Sequence, residues 1–179
     1  MTDGQARVFI GLGGNIGDRL ATLRSAIAAV NDDAVPQTTV RRVSAVYETR
    51  AVGPSSEPFL NAVAELTTTL RPCELLSALL AVETDHGRTR LERWAARTLD
   101  LDVLLWFAWR DERWHSQVID EDGLQVPHPR ARQRDFVLRP LADLLKAWPM
   151  DDGQSLESLV NAVPDDERTV TRRLHDTLP

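Results

Sequence analysis

Arg97-Thr98-Leu99-Asp100-Leu101-Asp102-Val103 alternates polar and apolar side chains and runs into the continuously apolar residues 103–109. In an extended strand, residues two apart share a face. Leu99, Leu101 and Val103 therefore enter a core while Asp100 and Asp102 project together on the other side. Residues 98–109 read as a buried strand, and residues 114–119 as a strand pairing back on it in a hairpin.

Working back from this strand, Pro72 suits the first turn of a helix carrying Leu75, Leu76, Leu79 and Val82, with Gly87 as its stop. Before it, Leu60, Ala62, Ala64 and Leu66 alternate against Asn61, Val63, Glu65 and Thr67 in a further strand. Residues 38–48 alternate too, with Val43, Ala45 and Tyr47 expected on one side. Asp18 is placed to cap a helix whose stripe is Leu20, Leu23, Ile27 and Val30. Val8-Phe9-Ile10 forms a first strand, and Gly11-Leu12-Gly13-Gly14-Asn15 after it is expected to make a sharp turn. The order strand, helix, strand, strand, helix, strand predicts an α/β (α+β) chain with a ferredoxin-like βαββαβ core, an additional hairpin and C-terminal helices. Prolines at 127, 129, 140, 149 and 164 cut the remainder into short pieces, and nothing in residues 150–179 announces a role. One domain over residues 1–179 is expected.

Composition narrows the function. The 179 residues carry 21 basic and 27 acidic side chains, a net charge of −6, which speaks against a general nucleic-acid binder. Lys146 is the single lysine and precedes Ala147, so a Gly-Lys-Ser/Thr phosphate loop is excluded and Schiff-base chemistry is a poor fit. Cys73 is the single cysteine, which excludes an internal disulfide and a cysteine zinc cluster. The first residues lack a signal-peptide pattern, and no apolar run reaches the ~20 residues that span a bilayer. A cytoplasmic protein without membrane partners is expected.

Two adjacent carboxylates on one strand repel each other unless a cation sits between them. Their hard oxygens suit magnesium, and such a pair can hold two ions for phosphoryl transfer. A bare Asp-x-Asp is equally the mark of a solvated strand face, so the neighbouring segments matter. Residues 86–97 and 128–139 each hold four arginines against one acid, a local charge of +3 apiece. The first window follows Gly87 without helical or strand period, which predicts a mobile loop. Guanidinium forks beside a magnesium pair are what a polyphosphate needs. In Pro127-His128-Pro129, two prolines fix where the imidazole points. Asn61 beside Phe59 can read the edge of a flat heterocycle while an aromatic ring stacks on its face.

These segments resemble a known family. Residues 92–102, with Val126-Pro127-His128 and Arg134-Asp135-Phe136 downstream, look like 6-hydroxymethyl-7,8-dihydropterin pyrophosphokinases of folate biosynthesis. Ile10-Gly11-Leu12-Gly13-Gly14-Asn15 and the stretch from Val52-Gly53-Pro54 to Asn61 fit the same pattern. The resemblance spans roughly residues 8–145. It implies pyrophosphate transfer from ATP to the pterin hydroxymethyl group with release of AMP. It also implies Asp100 and Asp102 on two magnesium ions, and Arg88 and Arg97 as catalytic phosphate contacts. His128 and Arg134 fall on the nucleotide phosphates, and Glu83 near the ATP ribose. Thr49, Val52, Phe59, Asn61 and Phe136 fall around the pterin, with Trp94 closing the loop over it.

This chain departs from the family at Ala95-Ala96, where Gly-Pro is frequent, at Gly123 and Pro129, and in a loop one residue short around Leu91. Two other readings stay open: a different magnesium-dependent phosphotransferase, and a pterin- or nucleotide-binding module without turnover. A dinucleotide fingerprint fits less well, because Ile16 stands where its third glycine belongs. The expected partners are small molecules, and the chain is expected to be a monomer.

Overall fold

A computed structural model of the protein describes residues 4–32, 34–51, 57–88, 97–121, 123–149 and 153–178. The core follows the order β1 (Ala6–Gly14), α1 (Arg19–Asn31), β2 (Thr38–Val43), β3 (Ala45–Thr49), β4 (Phe59–Thr68), α2 (Pro72–Asp85) and β5 (Asp100–Arg110). β6 (Arg113–Ser116) turns back on β5. A separate ribbon of β7 (Ile119–Glu121) and β8 (Leu124–Val126) follows, then α3 (Asp135–Ala142), α4 (Leu156–Ala162) and β9 (Val170–Thr177).

The sheet order is β6-β5-β1-β4-β3-β9, with β2 on the far end of β4, and all pairings are antiparallel. This is the ferredoxin-like split arrangement, widened at one edge by β6 and at the other by β9.

The expected helix starts hold. The Asp18 carboxylate accepts from the Ala21 N–H, and Pro72 opens α2. Gly87, just past α2, takes φ +78°, where a side chain would strain the backbone. Leu23, Ile27 and Val30 of α1 and Leu75, Leu79 and Val82 of α2 bury against Ile10, Leu12, Leu60, Ala64, Leu66, Leu101 and Val103 on one face of the sheet. The other face carries Phe9, Val63, Leu105 and Phe107 under Val137, Leu138 and Leu141 of α3 and Leu156 and Leu159 of α4. Both faces are therefore covered, except where the second helical layer ends and leaves a cleft.

Four details differ from what the sequence suggests. Gly11, Gly13 and Gly14 do not form a turn but continue β1, and Gly13 and Gly14 each meet a close neighbour there. A Cβ on Gly14 would lie 2.4 Å from the Thr98 carbonyl oxygen, and one on Gly13 would lie 3.1 Å from Asn61 Oδ1. The alternation in residues 38–48 breaks where the β2–β4 register shifts between Val40 and Arg42, and again at Ser44, whose N–H donates to the Val63 carbonyl while its hydroxyl accepts from the Val63 N–H. Val43 before that break and Val46 after it share the helix-covered face, and Tyr47 turns to α3, where its hydroxyl donates to Asp143. The hairpin stops at Ser116, so Ile119 belongs to the β7–β8 ribbon rather than to β6. Finally, residues 170–177 form an edge strand on β3, held by long-range pairing that no local pattern reveals.

Candidate active site

β5 aligns Asp100 with Gly13 and Asp102 with Gly11 of β1. Because the glycines lack side chains, the surface beside the two carboxylates stays open as a cleft of about 270 Å³. Leu99, Leu101 and Val103 anchor the strand from below, each nearly fully buried. Beneath it Glu83 Oε1 accepts the Leu101 N–H at 2.7 Å and pairs with Arg88, whose guanidinium reaches Asp100 Oδ1 at 2.7 Å. Arg97 Nη1 holds Asp100 Oδ2 at 2.5 Å. Arg97 is itself located by Asn15, whose Oδ1 accepts the Arg97 N–H at 2.7 Å and whose N–H donates to the Arg97 carbonyl at 2.9 Å.

A bulge supplies the next group. Phe9 aligns with Leu105 but Ile10 with Val103, so Leu104 is the extra residue on β5. Its carbonyl accepts the His128 N–H at 3.0 Å and brings the imidazole alongside the aspartates. The Arg130 N–H donates to His128 Nδ1 at 3.2 Å, a pattern that leaves the ring proton on Nε2 in the neutral form.

Burial, reinforced by the Asp100 charge, pushes the Asp102 carboxyl up, with His128, Arg134 and Arg97 pulling the other way. Burial pushes the His128 imidazolium down, Asp102 opposing and Arg134 and Arg130 adding to the effect. Arg134 is lowered by burial and then by Arg130. Glu83 is raised by burial, which outweighs the Leu101 N–H and Arg88. Crowded cations beside crowded, partly desolvated carboxylates are relieved together by a metal-bound polyanion.

The carboxylate pair fits magnesium. Asp100 and Asp102 offer hard oxygens on one face. No group of three or more histidine, cysteine or acidic ligands exists among the described residues. Asp100 and Asp102 would supply carboxylates, and phosphate oxygens and water suit the remaining positions of magnesium.

At the other end of the cleft the walls carry an amide, a hydroxyl and two aromatic rings, with Arg50 beside Thr49. Asn61 Nδ2 donates to Thr49 Oγ1 at 2.9 Å across the β3–β4 pair, and both side chains are buried. Phe59 aligns with Thr49, and Phe136 rises from the first turn of α3 with the Arg134 guanidinium 5.3 Å from its ring centre. The cleft thus gathers Thr49, Phe59, Asn61 and Phe136 with Arg97, Asp100, Asp102, His128 and Arg134. Arg88 joins through Asp100. Glu83 lies beneath the strand, 1% exposed, and reaches the site through Leu101 and Arg88 rather than from the wall. Val52, Trp94, Ala95, Ala96 and the rest of the expected loop from 89 lie outside the described residues.

Arg50 and Arg130 also line the cleft. Both are exposed, and only the fold brings them to its rim. Asn15 was visible merely as part of a glycine-rich run; its role depends on Arg97, 82 residues away.

A ferredoxin-like sheet whose cleft runs from two aspartates among arginines to an amide between aromatic rings defines an α/β domain with one charged and one aromatic end. The chain belongs to the 7,8-dihydro-6-hydroxymethylpterin-pyrophosphokinase (HPPK) family, matched over residues 9–146. It is 40% identical over 159 residues to the 2-amino-4-hydroxy-6-hydroxymethyldihydropteridine pyrophosphokinase of Pseudomonas aeruginosa, covering 88% of this chain and 92% of that one. The Bacillus subtilis protein of the same name is 44% identical over 137 residues, 76% of each chain. Among solved structures, the Plasmodium falciparum HPPK-DHPS with pteroate shares the fold at a TM-score of 0.61 and 12% identity. That match covers 90% of this chain and 43% of the Plasmodium chain.

Proposed function

We propose that this chain transfers the pyrophosphoryl group of ATP to the hydroxymethyl oxygen of 6-hydroxymethyl-7,8-dihydropterin and releases AMP. One observation carries the proposal: a single cleft sets Asp100 and Asp102 among arginines at one end and Asn61, Phe59 and Phe136 at the other. A pterin beside a triphosphate needs charge and flat surface together in one cleft. Family membership and relatives named as pyrophosphokinases support the same reaction.

In this reading Phe59 and Phe136 flank the pterin ring while Asn61, held by Thr49, faces its amide edge. Arg97, His128 and Arg134 receive the phosphates, and Arg88 leaves or shares Asp100 to do the same. The hydroxymethyl oxygen attacks the β-phosphorus, the bond from that phosphorus to the α–β bridging oxygen breaks, and AMP departs with that oxygen. The hydroxyl proton leaves toward Asp102 and solvent, and no side chain forms a covalent phosphoryl bond. Two magnesium ions held by Asp100 and Asp102 would neutralise phosphate charge and acidify the hydroxyl.

Incubation with ATP, magnesium and the dihydropterin should form AMP only when the pterin is present. ADP in place of AMP would point to a single-phosphoryl transfer, and binding of both ligands without AMP to a module that does not turn over.

A further inference from the structure

Beyond residue 146, where the family match ends, the tail reaches the site region through a buried carboxylate. Asp135 is 1% exposed and opens α3 between Arg134 and Phe136, both of which line the cleft. Among the described residues, its hydrogen-bond partners all come from one dipeptide of the tail. Asp135 Oδ2 accepts the N–H groups of Thr169 and Val170, each at 2.8 Å, and Oδ1 accepts the Thr169 hydroxyl at 2.6 Å. Among the described residues no arginine or lysine pairs with this carboxylate. A buried carboxylate whose charge is met by hydrogen-bond donors alone is costly to displace, because losing the donors leaves it unsatisfied.

Thr169, itself 5% exposed, faces the other wall as well: its carbonyl accepts the Arg50 N–H at 2.9 Å. Arg50 lines the cleft and follows Thr49, the hydrogen-bond partner of Asn61. One residue of the tail thus ties the start of α3, with Phe136, to the end of β3, with Thr49.

We propose that Asp135 and Thr169 are positioning residues that set the separation of the two walls around the flat ligand, so the tail shapes pterin affinity without touching pterin. The ligand named here rests on the function proposed above; the clasp itself rests on the contacts alone.

The test uses the full chain with Thr169→Val, Asp135→Asn, the double variant and the conservative Thr169→Ser. Ser155→Ala, which removes the hydroxyl cap of α4, serves as a control for general loss of stability. Two quantities are read: amide hydrogen exchange at Arg50 and at Leu138, whose N–H donates to the Arg134 carbonyl at the start of α3, in the free protein, and the dissociation constants of 6-hydroxymethyl-7,8-dihydropterin and ATP by calorimetry.

Thr169→Val and Asp135→Asn should each speed exchange at both amides and weaken the pterin about tenfold, with ATP changed less than about twofold. The double variant should be no worse than the worse single one, since both break one contact. Thr169→Ser, which keeps the hydroxyl, should behave as wild type. Equal weakening of both ligands, or the same exchange in Ser155→Ala at equal loss of Tm, would overturn the proposal. So would a folded Thr169→Val with unchanged pterin affinity, and this variant carries the test if Asp135→Asn does not fold. A wild-type protein that binds no dihydropterin overturns the proposed function instead. The exchange data then settle the clasp alone: faster exchange upholds it and unchanged exchange overturns it.

Discussion

The two ends of the cleft are held in different ways. At the phosphate end, Asp100 is gripped by Arg88 and Arg97, and Arg134 crowds toward Arg130 and His128. Each of these contacts is between charges that a polyphosphate and a metal would compete for. At the ring end, Asn61 is fixed by a neutral hydrogen bond to Thr49 across paired strands, and the aromatic rings stand on a strand and a helix. In the proposed reading, one end exchanges partners when ligands arrive, and the other already has its binding geometry. Mutations should therefore separate turnover from pterin affinity along the length of the cleft.

The largest effect should come from Asp102→Ala, which removes a carboxylate from the charged end. AMP release should fall by roughly 10²–10³, the range for losing one electrostatic contact to a transition state, while pterin affinity changes little. Undiminished AMP production would remove Asp102 from the phosphate end. Arg97→Ala should follow, lowering kcat more than it weakens pterin; calorimetry showing lost pterin affinity with normal turnover would reverse its assignment. Asn61→Ala should do the opposite. Losing a hydrogen-bonding amide at about 1–2 kcal/mol corresponds to roughly 5- to 30-fold weaker pterin binding, with ATP affinity kept. Equal losses for both ligands would erase the distinction between the two ends.

The smallest effect lies behind the ring end. Glu65, on the same face of β4 as Asn61, accepts from Arg7 and Arg42. Burial pushes its carboxyl up, but the two arginines outweigh burial and hold it below the usual carboxylate range. A group depressed on folding stabilises above its unfolded pKa of about 4.3 and loses that contribution as pH falls through its lower folded value. Urea melts should show wild type more stable than Glu65→Gln at pH 7 and the gap closing below about pH 4. A gap independent of pH would contradict the arginine clamp.

The charged end was far more legible in the sequence than its supports. Asp100 and Asp102 are two apart on a strand, so simple alternation aims both the same way, and the flanking arginines advertise the chemistry. Phe59 and Asn61 follow from the same alternation on β4. Ser44 and Leu104 were not legible as irregularities, because an extra residue in a ladder is defined by its partner strand and leaves no local mark. The glycines of β1 suggested a turn because glycine serves turns and close approaches alike, and only Thr98 behind Gly14 distinguishes them. Asp135 was hidden inside a basic window, 34 residues from the threonine that satisfies it.

The division of labour along the cleft presupposes one reaction, and the fate of the β-phosphorus tests it most directly. ATP labelled at that atom should deliver its label to the dihydropterin, one equivalent for each AMP formed, in the presence of magnesium. Label retained in ADP, or released as inorganic pyrophosphate with the pterin unchanged, would contradict pyrophosphoryl transfer by this protein.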